Sequence, residues 1–205
     1  MPLKNVSWSL SWRVLLLVLT AAWLPAQAQA QLAEPATSLA PKQPQPGVDY
    51  TVIAPRPIVN LVTALATEFK VAPQLALAIM AAESNFNPLA RSRGNAQGLM
   101  QLAPDTRRRL KVKNAFDPAQ NIQAGLTHLR WLLAYFEGDV ALVAAAYKAG
   151  TGKVARYQGV PPSAQTQAYV QRILKAVGTT KLPFDASVTR ASDVLKPSNQ
   201  TERKN

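Results

Sequence analysis

Glu83 closes an apolar run, Leu75-Ala76-Leu77-Ala78-Ile79-Met80-Ala81-Ala82, and its setting differs from that of the other carboxylates. Glu68, Asp105, Asp117, Glu137 and Asp139 sit at expected helix ends or among polar residues, where a carboxylate caps a helix or is solvated. A carboxyl group held against packed core keeps its proton nearer neutral pH than a solvated one does. Such an acid, at a helix end facing a groove, has the chemistry to protonate a glycosidic oxygen. Taken alone, the same residue also fits a helix-terminal glutamate that reaches solvent. Cysteine is absent and His128 is the only histidine, which removes thiol chemistry, cysteine-based metal sites, histidine-paired triads and multi-histidine metal sites. No metal and no cofactor is expected.

The residues around Glu83 narrow the choice. Glu83-Ser84 leads into Phe86-Asn87-Pro88 and then Ser92, and Gly98-Leu99-Met100-Gln101-Leu102 follows a turn bounded by Gly94 and Gly98. Downstream come Asp117 to Gly125, Ala146-Tyr147-Lys148-Ala149-Gly150, Val160-Pro161-Pro162, and Gln165-Thr166 with Tyr169-Val170. In that order and spacing the chain, from Ile58 to Val177, resembles the soluble lytic transglycosylases and their specialised relatives of secretion, pilus and conjugation machines. The resemblance implies a lysozyme-like domain with Glu83 as the single catalytic acid and base. It implies a substrate-binding set of Ser92, Gln101, Tyr147, Tyr169 and Gln165. Ser92 would contact the N-acetyl group or the developing charge, and Gln101 would line the sugar groove. Tyr147 would sit near Glu83, and Tyr169 would close the far wall. Met100 reads as packing, and Asn121, Ile122 and Gly125 as structural.

The chemistry implied by the resemblance needs one carboxylate, whereas most glycosidases need two. Glu83 would protonate the oxygen joining N-acetylmuramic acid to N-acetylglucosamine. It would then take the proton of the muramic C6 hydroxyl as a 1,6-anhydro ring closes. A hydrolytic muramidase and a non-catalytic peptidoglycan-binding protein are the alternatives. Three positions depart from the family pattern: Lys148 replaces an asparagine, Gln165 replaces a glutamate, and Gly94-Asn95-Ala96-Gln97-Gly98 interrupts a Gly-Ala pair. Two of these shift the site toward positive charge and bear on activity and its pH optimum.

Helices must position these residues, because strand-like alternation is nowhere sustained. Ile58, Val59, Leu61, Val62, Leu65 and Phe69 form one helical stripe, and Pro73 opens a second helix. A third spans about Pro118 to Phe136 with Asp117 as N-cap. A fourth starts near Asp139 and ends at Gly150 and Gly152, and a last one runs from about Ala164 to Val177. The fold class is mostly α, a lysozyme-like single domain with a disordered N-terminal linker and a C-terminal tail. A signal peptide is expected over residues 1–28, a Pro-rich linker over 29–57, the folded unit over 58–177, and a mobile polar tail over 178–205.

The leader follows from Lys4 and Arg13, the apolar stretch Val14 to Leu24, which is short for a membrane span, and the sites Ala26-Gln27-Ala28 and Ala28-Gln29-Ala30. The protein is therefore expected to be exported to the periplasm without a stable membrane anchor. Its formal charge of +12, with seven of the cations between Arg91 and Lys113, suits an anionic partner. For an exported protein that partner is wall polymer rather than nucleic acid. The small size suggests an enzyme that opens the wall for a secretion, pilus or conjugation apparatus.

Overall fold

The computed structural model describes residues 47–195. The expected leader, most of the linker and the last ten residues of the tail lie outside it. Within the described residues the architecture is helical, with three isolated β-bridges and no strand. The helices are α1 (Tyr50–Ile53), α2 (Arg56–Glu68), α3 (Pro73–Ser84), α4 (Pro104–Arg109), α5 (Pro118–Tyr135), α6 (Val140–Ala149), α7 (Thr151–Tyr157) and α8 (Ala164–Val177). A short 3-10 turn covers Asp193–Leu195. No described helix is long and apolar enough to cross a membrane.

α3 forms the centre because its sequence has no polar face to show to water. Leu75, Ala76, Leu77, Ala78, Ile79 and Met80 are all buried, one after another, as a helix that is apolar all round requires. Pro73 opens it at a position where a missing N–H costs nothing. α2, α5 and α8 pack against α3, and α6 lies against α5, α7 and α8. The outer helices are amphipathic. α2 buries Val59, Val62 and Ala66, and α8 buries Thr166, Tyr169, Val170, Ile173, Ala176 and Val177, both at helical spacing. Asp117, Asp139 and Ser163 cap α5, α6 and α8 by accepting from the N–H three residues on.

Three expectations change. α6 ends at Gly150, but the chain turns straight into α7 there. The linker boundary at residue 57 falls too late. From residue 47 the chain is docked: Val48 N–H donates to the Ala176 carbonyl (2.9 Å), Gln74 Nε2 bridges the carbonyls of Val48 and Ala176, and Tyr50 is buried against Phe86. Nor is the chain past Gly178 a mobile tail as far as Leu195. Val140 N–H donates to Thr180 O and Leu182 N–H to Gly138 O, while Arg130 and Lys70 both pair with Asp185. Ser192 is buried, and its N–H donates to Tyr135 O (2.8 Å). Polar composition hid this strap because backbone groups and one carboxylate, rather than an apolar stripe, hold it.

Candidate active site

Glu83 occupies the last turn of α3, with its side chain 11% exposed. The helix has to stop directly after it. Asn85 and Phe86 both take left-handed backbone (φ 48° and 62°), which costs non-glycine residues on the order of 1 kcal/mol each. Phe86, buried edge-on to Tyr50 with ring centroids 5.9 Å apart, holds that reversal in place. Ser84 Oγ donates to the Leu99 carbonyl (2.6 Å), tying the helix end to the segment that follows.

That segment, residues 90–102, has little regular structure of its own, and side chains from four helices pin it. From α5, buried Asn121 accepts from Met100 N–H (2.8 Å) and donates to the carbonyls of Gln97 (3.0 Å) and Ala115 (2.7 Å). From α6, the Tyr147 hydroxyl donates to the Met100 carbonyl (2.7 Å). From α4, Arg107 donates to Gln97 Oε1 (2.6 Å) and the Asn95 carbonyl (3.1 Å). Ser84 is the fourth, from α3. Gly98 is required where the pins converge. Its φ is +78°, and a Cβ there would stand 2.1 Å from both Ala115 O and Asn121 Nδ2. Gly125 plays the matching part on α5, where a Cβ would lie 2.0 Å from Met100 Sδ.

Three side chains face Glu83 from the other helices. Lys148 Nζ is 3.5 Å from Glu83 Oε1 and 5.1 Å from the centroid of the Tyr169 ring. Its side chain is 26% exposed, so the cation lies within the site rather than in solvent. Half-buried Tyr147 and buried Tyr169 are phenols whose protons are held well above the usual tyrosine range, first by burial of the hydroxyl and next by the charge of Glu83. The Tyr169 hydroxyl is turned toward that carboxylate but makes no well-formed hydrogen bond, and it remains a buried donor without a partner. A carboxyl group between a cation and two phenols, at the mouth of an apolar helix, can exchange a proton with a bound group while little water reaches it.

Of the residues read from the sequence, Glu83, Tyr147 and Tyr169 come together. Gln101 lies in the pinned segment with left-handed backbone (φ 47°), and its Nε2 donates to the carbonyls of Ala90 (2.9 Å) and Gly98 (3.0 Å). Its Oε1 is left to accept from a ligand. Ser92 is exposed, and its hydroxyl accepts from Ala96 N–H (3.0 Å), holding the 92–96 turn. Gln165 is exposed at the start of α8, on a different side of that helix from buried Thr166 and Tyr169. Met100, Asn121, Ile122 and Gly125 are buried in structural roles. Ser84 and Arg107 had been given no site role, whereas Lys148 had been read as a departure that makes the site more positive. For Lys148 a signal existed, since it sits beside Tyr147 at the end of α6. For Arg107 the run Arg107-Arg108-Arg109 concealed one half-buried member among exposed ones.

A family model described as the transglycosylase SLT domain matches residues 60–170. A transglycosylase of Enterobacteria phage PRD1 is 35% identical over 139 residues, 68% of this chain and 50% of that protein. A membrane-bound lytic murein transglycosylase C of Mannheimia succiniciproducens is 36% identical over 128 residues, 53% of this chain and 35% of that protein. Among solved structures, the 70-kDa soluble lytic transglycosylase of Escherichia coli aligns with a TM-score of 0.52 and 26% identity, covering 58% of this chain and 23% of that one. A lytic transglycosylase Slt of Pseudomonas aeruginosa, described as an inactive glutamate-to-glutamine mutant, aligns with a TM-score of 0.54 and 26% identity, covering 73% of this chain and 26% of that one. This chain spans half the length, or less, of each of these relatives.

Proposed function

This chain belongs to the transglycosylase SLT domain family, and on that premise we propose that it is a lytic transglycosylase of peptidoglycan with Glu83 as its catalytic residue. Glu83 donates its proton to the oxygen linking C1 of N-acetylmuramic acid to N-acetylglucosamine, and the C1–O bond breaks. The acetamide oxygen of the muramic residue stabilises the cation developing at C1. The carboxylate then accepts the proton of the C6 hydroxyl as O6 bonds to C1, which closes the 1,6-anhydro ring. Glu83 is protonated again at the end, and no water is consumed.

The observation that carries this reading is how the setting of Glu83 differs from that of other carboxylates among the described residues. Asp49, Asp117 and Asp139 cap helices, Asp105 is paired with Arg108, and Asp185 is paired with Arg130 and Lys70. Glu68 and Glu137 are exposed. A two-carboxylate glycosidase needs a second such group within about 5 to 10 Å of the first, and these residues are held to other tasks. The inactive glutamate-to-glutamine relative supports the same reading. The Gln101 acceptor and the pinned 90–102 segment would form one wall of the groove, with Tyr169 on the opposite side.

The leader expected over residues 1–28 would direct export, and acting on peptidoglycan would place the mature enzyme in the periplasm. The family likeness supports service to a secretion, pilus or conjugation apparatus. The test of the reaction is product analysis. Digested sacculi examined by mass spectrometry should yield fragments ending in 1,6-anhydromuramic acid. Fragments with reducing muramic ends would identify a hydrolytic muramidase instead.

A further inference from the structure

A cavity of about 490 Å³ opens between α4, α5 and the end of α6, within the range typical of small-ligand sites. It adjoins Glu83, because Lys148 and Tyr147 line the cavity and also flank the carboxylate. Its far wall is Trp131, whose ring is stacked on Tyr135 at 4.7 Å and 14° and so is fixed in orientation. Its charge comes from Arg109. Arg109 Nη2 meets His128 Nδ1 at 3.3 Å, and the His128 ring is held by Tyr147, with centroids 5.6 Å apart. Burial, and then the neighbouring Arg109 charge, push the histidine pKa down to about 4, so the ring is neutral and accepts at Nδ1. That contact uses one end of the guanidinium and leaves Nη1 and Nε as donors. The other charges at the cavity are committed elsewhere, Asp105 to Arg108 and Lys148 to Glu83.

An oriented guanidinium matches a carboxylate, and the glycan cannot supply one. Its N-acetylated sugars are uncharged, and the lactyl group of the muramic residue is tied up as an amide. The anions nearest the scissile bond are the carboxylates of the peptide attached there. We propose that this cavity receives that acidic peptide, with Arg109 pairing to a peptide carboxylate and Trp131 covering its apolar part. Arg109 is then a specificity residue that selects glycan carrying charged peptides. This rests on the functional reading above and goes beyond it.

The test compares two substrates at fixed ionic strength: peptide-bearing glycan strands, and the same strands with their peptide carboxylates converted to neutral carboxamides. Native enzyme should show a KM roughly tenfold lower for the charged strands at similar kcat, the loss typical of one charge-assisted pair. Arg109→Gln should raise KM on charged strands to the level of neutral ones, and Arg109→Lys should recover part of the difference. Equal KM values for native enzyme on both substrates would overturn the cavity assignment while leaving the functional reading intact. A Gln variant weakened equally on both would make Arg109 merely structural and overturn it too. If native enzyme cleaved neither strand, the functional reading itself would fail and this proposal with it.

Discussion

At the scale of single residues, the point of greatest chemical consequence is Lys148. The family pattern has a neutral residue there, and sequence alone leaves two geometries open, because the residue after an inward tyrosine turns about 100° around the helix. The long side chain closes that angle and brings its ammonium to 3.5 Å from Glu83. A nearby cation favours the charged form of a carboxyl group. Lys148→Asn withdraws that cation from the carboxyl, so the pH–rate profile for sacculus lysis should change in the variant. Lysis rates from pH 4 to 8 for both proteins check this, and coincident curves would mean that the ion pair has no influence on the reaction. The enclosed setting of Glu83 was legible in the sequence, because a lone carboxylate after eight apolar residues is conspicuous. The reach of Lys148 was not, because it depends on side-chain conformation rather than spacing.

At the scale of elements, the loop that follows Glu83 is made rigid by helices. α3, α5, α6 and α4 were not expected to meet at residues 97–100, yet each sends one polar side chain there. Helical periodicity finds an apolar face, and these pins are isolated polar residues on or beside such faces. Asn121 shows the difference: its structural character was readable from the motif, but its three partners, 21, 24 and 6 residues away, were not. Removing it leaves the buried Met100 N–H and the Ala115 carbonyl without partners, while the Gln97 carbonyl keeps Leu102 N–H. At about 1–3 kcal/mol for each unpaired group, Asn121→Ala should lower stability by several kcal/mol. Urea titration measures this, and a midpoint within error of native would show that the loop does not depend on the pin.

The same view divides the arginine cluster. Sequence treats Arg107, Arg108 and Arg109 as one exposed patch for wall polymer, whereas Arg107 is half-buried on the loop, Arg108 pairs with Asp105 and Arg109 holds His128. Arg107→Ala should destabilise the fold by about 1–3 kcal/mol, while Arg108→Ala should leave stability within about 0.5 kcal/mol of native. Chemical denaturation of the two single variants separates the roles, and equal losses would restore the picture of a uniform patch.

At the scale of the whole molecule, the five helices expected from periodicity are present with ends close to those expected. The two short helices beside the site, α4 and α7, and the strap after Gly178 were not foreseen. Short elements carry too few residues for a period to show, and a strap held through its backbone carries no pattern at all. Global stability should carry the mark of His128. Folded, it takes a proton only near pH 4, whereas in the unfolded chain it does so near 6.5. Unfolding therefore takes up a proton between those values, and stability falls as pH drops through that window, by on the order of 3 kcal/mol at its foot. Asp185, held below its ordinary range first by the Ser187 hydroxyl and then by Arg130, adds its loss only at lower pH. Urea midpoints at pH 7 and 4.5 should differ more for native protein than for His128→Gln, and equal differences would remove His128 as the cause.

The most direct test of the central claim is the lysis of sacculi by native protein and by Glu83→Gln, with circular dichroism to establish that both are folded. The isostere keeps the shape of the side chain and removes its acid–base function, which contributes roughly two to four orders of magnitude in rate. Native protein should release fragments with 1,6-anhydromuramic ends, and the folded glutamine variant should fall by at least about a hundredfold. A glutamine variant that releases the same fragments at the native rate would contradict the assignment of Glu83 and the mechanism built on it.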